Sequence, residues 1–211
     1  MAELSKMTQT LMEGDGDGLV AIVTEALESG RSASEILNDE LIAGMDLIGE
    51  KMGNGEMFIP EVLMTAHAMG AAVEVLKPHL AEGESSSAGT IVIGTVKGDL
   101  HDIGKNLVVM MLESAGFEVI DLGVDVEPEI FVEAVKSNKP DILGLSALLT
   151  TTMPMLKKTV DTITESGVRD NLKILIGGAP VNQVFADEIG VDGYAPDAGS
   201  ASRMAKAMIA G

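Results

Sequence analysis

Short apolar runs rich in β-branched residues alternate with amphipathic helical segments after residue 90, and this rhythm restricts the possible folds more than any other feature. The predicted strands cover residues 90–96, 118–122, 141–146 and 172–176, with a shorter fifth strand near Tyr194. The helices between them are predicted near residues 104–115, 127–136, 153–166, 182–189 and 199–209. Because right-handed crossovers return the chain to the same sheet edge, the pattern predicts a doubly wound, flavodoxin-like (Rossmann-type) parallel sheet of five strands in the order 2-1-3-4-5.

The first 81 residues follow helical spacing instead. Apolar residues line one face of a third helix and one face of a fourth helix. These are Leu37, Leu41, Met45, Ile48 and Met52 in the third, and Phe58, Val62, Ala66, Met69, Val73 and Leu76 in the fourth. With weaker segments near residues 3–13 and 18–29, the pattern predicts a four-helix bundle that precedes the α/β domain.

The segment AEGESSSAGT at residues 81–90 is small, polar and without apolar periodicity, which is typical of a linker. We therefore expect a helical-bundle cap domain at residues 1–81, a linker at 82–90 and an α/β domain at 91–211.

Charge and cysteine content exclude several classes of function. The chain has 33 acidic and 14 basic residues and a net charge of −19, which argues against nucleic acid as a partner. It has no cysteine, so a disulfide, a thiolate zinc site and a catalytic thiol are all excluded. No signal peptide and no uninterrupted apolar stretch of about 18 residues is present, so we expect a cytoplasmic protein without a membrane partner.

Unusual residues follow the first, third and fourth predicted strands, where the carboxyl ends of a parallel sheet bind ligands. An Asp-x-His-x-x-Gly motif, a Ser-x-Leu motif and a Gly-Gly pair are separated by 41 and 28 residues. The loops read Gly98-Asp99-Leu100-His101-Asp102-Ile103-Gly104, then Ser146-Ala147-Leu148-Leu149-Thr150, then Gly177-Gly178.

His101 is the histidine with acidic neighbours, so a carboxylate at Asp99 could accept its ring N–H and leave the other nitrogen free for a metal. One imidazole is too few for zinc, but it suffices as an axial donor to a metal that a macrocycle already holds. Glycines at these loops leave room for a bulky ligand near the backbone. The alternative is a helix start with Asp99 or Asp102 as N-cap and His101 as a surface residue.

Together the three motifs resemble the cobalamin-binding domain shared by methionine synthase, corrinoid methyl-carrier proteins and cobalamin-dependent mutases. The resemblance covers nearly the whole chain, because residues 55–61 (GEMFIPE) resemble the turn into the last helix of that family's four-helix cap. A cap implies methyl transfer rather than radical rearrangement. A free-standing chain of cap plus cobalamin domain is similar to the carrier subunits of three-component methyltransferase systems.

The resemblance implies cobalamin as cofactor, as methylcobalamin or a related corrinoid, with His101 as the lower axial ligand of cobalt in place of the cofactor's own benzimidazole. Asp99 would orient His101, and Ser146 would hold Asp99, so these three residues form the implied catalytic set. On the upper face, Phe58 and Val62 would shield the methyl group, although both also fit a plain bundle core. The remaining implied cofactor contacts are Gly98, Leu100, Asp102, Ile103, Gly104, Leu148, Thr150, Gly177, Gly178 and Ala198.

The implied function is carriage of a methyl group on cobalt from a methylated substrate to a second acceptor. The runs at residues 177–181 and 188–198 resemble carriers for methylated amines, but carriers for methanol, betaines and aryl methyl ethers share the scaffold. The implied partners are a substrate-specific corrinoid methyltransferase, a methyltransferase acting on tetrahydrofolate or coenzyme M, and a corrinoid-reactivating protein. The chain would be a carrier subunit rather than a self-sufficient enzyme.

Two other functions fit parts of the pattern. A flavodoxin-like signalling receiver needs a phosphorylatable Asp at the end of its third strand, where this chain has Ser146. A cobalamin-binding sensor or regulatory module acting through a protein partner would share the same cap and the same site, so it remains the alternative to methyl carriage.

Overall fold

A computed structural model describes residues 4–80, 88–170 and 172–210 of the chain. The chain divides into two compact units, Met1–Ser86 and Ser87–Gly211. Most of the predicted linker at residues 82–90 lies outside the described residues, because residues 81–87 are not among them.

The first unit is helical, and the predicted four-helix pattern is confirmed. Its third helix consists of two α-helical pieces that flank a π-helical segment without a break. Ser5, Asp15 and Ser32 each cap a helix by accepting a backbone N–H from the first turn. The elements are α1 (Lys6–Met12), α2 (Gly16–Glu28), α3 (Ala33–Glu35), the π segment (Ile36–Ile42), α4 (Ala43–Gly53), α5 (Ile59–Leu76) and a 3₁₀ turn (Lys77–His79).

The π segment moves the buried face of the third helix by one residue. The regular α spacing predicted Leu37 on the core face, but Ile36 is fully buried and Leu37 is only half-buried. Ile36 and Leu41, both fully buried, are five residues apart, which matches the i to i+5 bonding of a π-helix. The prediction for Leu37 is therefore wrong, whereas Leu41, Met45 and Ile48 lie in the core as predicted.

Helix α5 begins one residue after Phe58, whose backbone N–H donates to the Glu61 carboxylate at 2.8 Å. The predicted core face of this helix is largely confirmed, since Val62, Ala66, Met69 and Leu76 are buried. Val73 is only half-buried, and Phe58 is 67% exposed, so the assignment of Phe58 to the bundle core is wrong.

By length and composition, one helical stretch of the described residues could cross a membrane. It is Ile59–His79, with 21 residues and a mean hydropathy of 1.3. The core helix of a helical bundle meets the same criterion, and α5 packs against α2 through its buried face.

The second unit contains a five-stranded parallel sheet in the order β2-β1-β3-β4-β5, which confirms the predicted topology. The strands are β1 (Thr90–Thr95), β2 (Glu118–Asp121), β3 (Ile142–Ser146), β4 (Lys173–Gly177) and β5 (Gly193–Ala195). The helices are α6 (Ile103–Ser114), α7 (Pro128–Asn138), α8 (Met153–Glu165), α9 (Gln183–Ile189) and α10 (Ala198–Ala210).

The sheet has an apolar core on each face. One core includes residues of α7, α8 and α9, and the other includes residues of α6 and α10. Phe131 of α7 is fully buried and its ring crosses β1 at Gly94, where an added Cβ would lie 2.9 Å from the ring. A strand with this close a neighbour needs glycine at that position.

The strand register determines where the functional loops begin. Thr95 of β1 pairs with Ser146 of β3, Ser146 with Gly177 of β4, and Gly177 with Ala195 of β5. These residues form a row at the carboxyl edge of the sheet, and the loops that follow them leave from the same level.

Phe131 and its neighbour Ile130 provide a test of this packing. We expect Phe131→Ala to reduce the free energy of unfolding of the α/β unit by about 3–5 kcal/mol, because it leaves a large cavity under β1. Ile130 is 46% exposed, so Ile130→Ala should change the free energy of unfolding by about 0.5 kcal/mol or less. Denaturant unfolding followed by circular dichroism measures both, and equal effects would contradict the described core.

Candidate cofactor-binding site

In the loop between β1 and α6, both the backbone N–H and the backbone carbonyl of His101 are hydrogen-bonded. The Thr95 hydroxyl donates to the His101 carbonyl at 3.0 Å, and the His101 N–H donates to Asp99 Oδ1 at 3.1 Å. Gly98, with φ of +83°, supplies the left-handed backbone conformation that turns the chain into this loop. His101 therefore occupies a fixed backbone position while its side chain remains 51% exposed.

The imidazole ring of His101 is oriented by Asp99. Its Nδ1 lies 2.7 Å from Asp99 Oδ1, and the Asp99 side chain is fully buried. Because an ionised carboxylate only accepts hydrogen bonds, Nδ1 must carry the proton. The Nε2 lone pair is then free, and this tautomer suits a ligand of a metal.

The second oxygen of Asp99 ties this loop to the loop after β3. Asp99 Oδ2 accepts the N–H of Leu148 at 2.7 Å, the N–H of Leu149 at 3.2 Å and the Thr152 hydroxyl at 2.6 Å. Burial would raise the pKa of Asp99, but the hydrogen bonds from Thr152, His101 and Leu148 outweigh it and hold the pKa well below its ordinary value. Asp99 is therefore ionised at neutral pH.

Thr152, rather than Ser146, donates a hydroxyl hydrogen bond to Asp99. The family resemblance implied that Ser146 holds Asp99, but no such bond is found among the described residues, and Ser146 is half-buried at the end of β3. Thr152 is 5% exposed and immediately precedes α8. Its hydroxyl lies six residues beyond Ser146, and the run of three threonines before α8 was the signal that could have indicated it.

Exposed apolar side chains lie close to His101 in sequence and in the two loops that Asp99 joins. Leu100 is 71% exposed and Ile103 is 83% exposed, and Leu148 and Leu149 are about 40% exposed. Several exposed large apolar residues in the two loops around an exposed imidazole are typical of a binding surface. This donor set fits a metal held in a large apolar macrocycle, because it offers one nitrogen ligand and an apolar surface.

A conventional metal site has no support in the described residues, where no cluster of three or more His, Cys, Asp or Glu side chains could hold an ion. The simple helix-cap alternative is not supported either. Asp99 is bonded to His101 and to the loop after β3, and the Asp102 side chain makes no capping bond to α6.

The glycines play different roles. A Cβ on Gly178, where φ is +125°, would lie 1.8 Å from the carbonyl oxygen of Ala147, so the approach of the chain's own backbone explains this glycine. Nothing lies within 4 Å of a Cβ built on Gly104, at the start of α6, so space beside that residue remains open to a ligand.

The other predicted contact residues are distributed along the same sheet edge, except two. Gly177 pairs with Ser146, Thr150 is exposed in the loop after β3, and Ala198 is buried as the first residue of α10. Phe58 and Val62 belong to the first unit, where Val62 is fully buried in the bundle and Phe58 is largely exposed. Burial of Val62 fits the bundle-core alternative for that residue.

Comparison with known proteins gives consistent matches over both units. A B12 binding domain family matches residues 89–202, and a second family, also described as a B12 binding domain, matches residues 3–77. Dimethylamine corrinoid protein 1 of Methanosarcina acetivorans is 47% identical over 92% of this chain and 91% of its own. The trimethylamine corrinoid protein of Methanosarcina barkeri is 41% identical over 98% of this chain and 96% of its own.

A solved structure agrees with these sequence matches. The crystal structure of the methanol:cobalamin methyltransferase complex MtaBC from Methanosarcina barkeri contains a chain that is 35% identical, with a TM-score of 0.84. The match covers 97% of this chain and 78% of that one.

We expect Thr152→Val to reduce the free energy of unfolding by about 1.5–3 kcal/mol at neutral pH, because it removes a hydrogen bond to a buried ionised carboxylate. A depressed pKa stabilises the fold above the unfolded value of about 4, and that stabilisation is lost as the pH falls further. The deficit of the valine variant should therefore be constant from about pH 7 to pH 5 and shrink below about pH 4. Unfolding by denaturant across this pH range measures it.

Thr152→Ser and Ser146→Ala are the matched controls. The serine variant retains the hydroxyl and should keep most of the stability, whereas Ser146→Ala should show no deficit that depends on pH in this way. If Ser146→Ala lowered the free energy of unfolding in this pH-dependent way and Thr152→Val did not, Ser146 rather than Thr152 would be the donor to Asp99.

Proposed function

This chain belongs to the B12-binding family as a corrinoid methyl-carrier protein of a methyltransferase system, and on that premise we propose that it carries methyl groups from a methylated amine with His101 as the lower ligand of cobalt. Its cofactor is a corrinoid. The observation that supports the axial assignment best is the hydrogen bond from His101 Nδ1 to the buried Asp99, which leaves Nε2 free on an exposed ring.

When bound, the corrinoid supplies a cobalt centre that accepts a methyl group from one partner and releases it to another. His101 would hold the metal through Nε2, while Asp99 keeps the proton on Nδ1. Because the His101 backbone is fixed by Thr95 and Asp99, the side chain rather than the main chain would adjust.

Loop residues of the α/β unit would hold the rest of the cofactor. The exposed apolar residues Leu100, Ile103 and Leu148 suit contact with a macrocycle, with Gly98 and Asp102 beside them in the same loop. The displaced nucleotide tail would lie along the carboxyl edge of the sheet. We assign Gly104, Ser146, Thr150, Gly177, Gly178 and Ala198 to that part of the site.

Shielding of the methyl group by Phe58 remains a prediction from the family resemblance, and within the helical unit this side chain is 67% exposed. Val62 was predicted to shield the methyl group or to lie in the bundle core, and its fully buried side chain favours the bundle core.

Methylated amines are the proposed methyl donors because two relatives that match over almost the whole chain are named for dimethylamine and trimethylamine. Their identities of 47% and 41% exceed the 35% of the chain from the methanol complex. The structure of that complex also supports a donor methyltransferase as the first partner. A second methyltransferase acting on tetrahydrofolate or coenzyme M and a corrinoid-reactivating protein complete the proposed system, which we place in the cytoplasm with α5 as a bundle helix.

The spectrum of bound hydroxocobalamin tests the axial ligand. We expect the natural chain to show a corrinoid with a histidine nitrogen as lower ligand, and His101→Ala to lose that signature and to bind the corrinoid more weakly. His67→Ala is the control, because His67 is an exposed histidine whose Nδ1 is within 2.9 Å of the Leu63 carbonyl. An unchanged spectrum in His101→Ala would refute the assignment.

A methyl-transfer screen tests the substrate. The purified chain, loaded with reduced corrinoid, is combined with donor methyltransferases for mono-, di- and trimethylamine, methanol, betaines and aryl methyl ethers, and with acceptor enzymes for tetrahydrofolate and coenzyme M. We expect methylation of the corrinoid with an amine-specific partner and transfer to one of the two acceptors. Turnover only with the methanol partner would overturn the proposed substrate, and no turnover together with corrinoid-dependent binding of a protein would favour the sensor alternative.

A further inference from the structure

We propose that Asp125, in the loop between β2 and α7, is a positioning residue that fixes the loop carrying Asp99 and His101. The proposal rests on the proposed function, because it concerns the placement of the imidazole that holds the metal. Asp125 makes no described hydrogen bond to His101 itself and acts through the backbone of the residues before it.

Asp125 and the His101 loop are joined by a reciprocal pair of hydrogen bonds. The N–H of Gly98 donates to Asp125 Oδ1 at 2.8 Å, and the N–H of Asp125 donates to the carbonyl of Asp99 at 3.0 Å. The two bonds hold the consecutive residues Gly98 and Asp99 from outside their own loop. Since the Asp99 side chain orients His101 Nδ1, an error in the position of this backbone is passed directly to the ring.

The loop that carries Asp125 is itself anchored to the end of β1. The N–H of Thr95 donates to the Gly123 carbonyl at 2.9 Å, and the N–H of Val126 donates to the Thr95 carbonyl at 3.0 Å. Val96 and Val126 form a further parallel bridge beyond the named strands. The loop between β2 and α7 therefore extends the β1–β2 pairing past the strand ends, as far as the loop that carries Asp99 and His101.

A small charge cluster holds the Asp125 side chain. Lys97 Nζ lies 3.2 Å from Asp125 Oδ2 and 3.1 Å from Glu127 Oε1. Lys97 thereby engages one carboxylate oxygen of Asp125 while Gly98 engages the other. The hydrogen bond from Gly98 and the pairing with Lys97 both lower the pKa of Asp125, in agreement with a carboxylate that is held in place as an anion.

The backbone of Asp125 is in an unusual conformation. Its φ is +58°, and among the described residues the other non-glycine with positive φ is Lys139, at +47°. Lys139 is the C-cap of α7, where a left-handed residue is common, whereas Asp125 lies three residues before α7 begins. Asp and Asn are the residues that tolerate this conformation best after glycine, and strain of this kind is found at functional sites.

Two substitutions at Asp125 separate backbone conformation from the side-chain hydrogen bond. Asp125→Gly keeps and relaxes the left-handed backbone but removes the acceptor of the Gly98 N–H. Asp125→Asn tolerates the same conformation and keeps an acceptor oxygen. Lys139→Gly is the matched control, because it makes the same backbone change away from the metal-binding loop.

Each purified chain is titrated with hydroxocobalamin, with the lower-ligand spectrum and thermal unfolding of the unloaded chain as readouts. We expect Asp125→Gly to unfold within a few degrees of the natural chain, to bind the cofactor about tenfold more weakly and to lose part of the histidine-ligated signature. Asp125→Asn should retain both the affinity and the spectrum, and Lys139→Gly should match the natural chain.

A glycine variant with natural affinity and a natural spectrum would overturn the positioning role, as would an asparagine variant that fails as badly as the glycine variant. If the glycine variant does not fold, hydrogen exchange in the natural chain decides instead: the exposed Gly98 amide should be protected, and rapid exchange would overturn the proposal. A natural chain that shows no histidine ligation indicates failure of the proposed function itself, because all variants would then share that spectrum.

Discussion

The buried carboxylate of Asp99 is the interaction on which the site depends. Its side chain accepts five hydrogen bonds among the described residues, two from His101 and three from the loop after β3. A charged group without water is tolerated only when its oxygens are bonded in this way. The same bonds that make burial possible also select the tautomer of His101, so the stability of the loop and the chemistry of the imidazole have a single cause.

The fold was largely predictable from the sequence because its signals are periodic. The parallel sheet, its strand order and its loop positions follow from the alternation of apolar runs and amphipathic helices. The shift of the buried face from Leu37 to Ile36 was not predictable. A π segment has more residues per turn than an α-helix, and amino-acid composition does not indicate where one occurs. Phe58 was misplaced for a related reason: the spacing continues through it, but the helix begins one residue later and leaves the ring outside.

For the site, the sequence identified the residues with distinctive chemistry and missed a residue without it. Asp99 and His101 stand two residues apart in one loop, and a carboxylate can reach an imidazole at that spacing, so their contact could be predicted. The hydroxyl that donates to Asp99 could be identified only once the path of the loop after β3 was known. Ser146 is the last residue of that strand, but Thr152, immediately before α8, is the residue whose hydroxyl reaches the carboxylate.

The hydrogen bonds to the Asp99 carboxylate come from the loops after β1 and β3, and within the described residues none comes from the loops after β4 and β5. The loop after β4 nevertheless affects this carboxylate through packing, because a Cβ on Gly178 would lie 1.8 Å from the carbonyl oxygen of Ala147, the residue before Leu148. A side chain at position 178 would therefore displace the backbone that binds Asp99, and with it the carboxylate that orients the imidazole of His101.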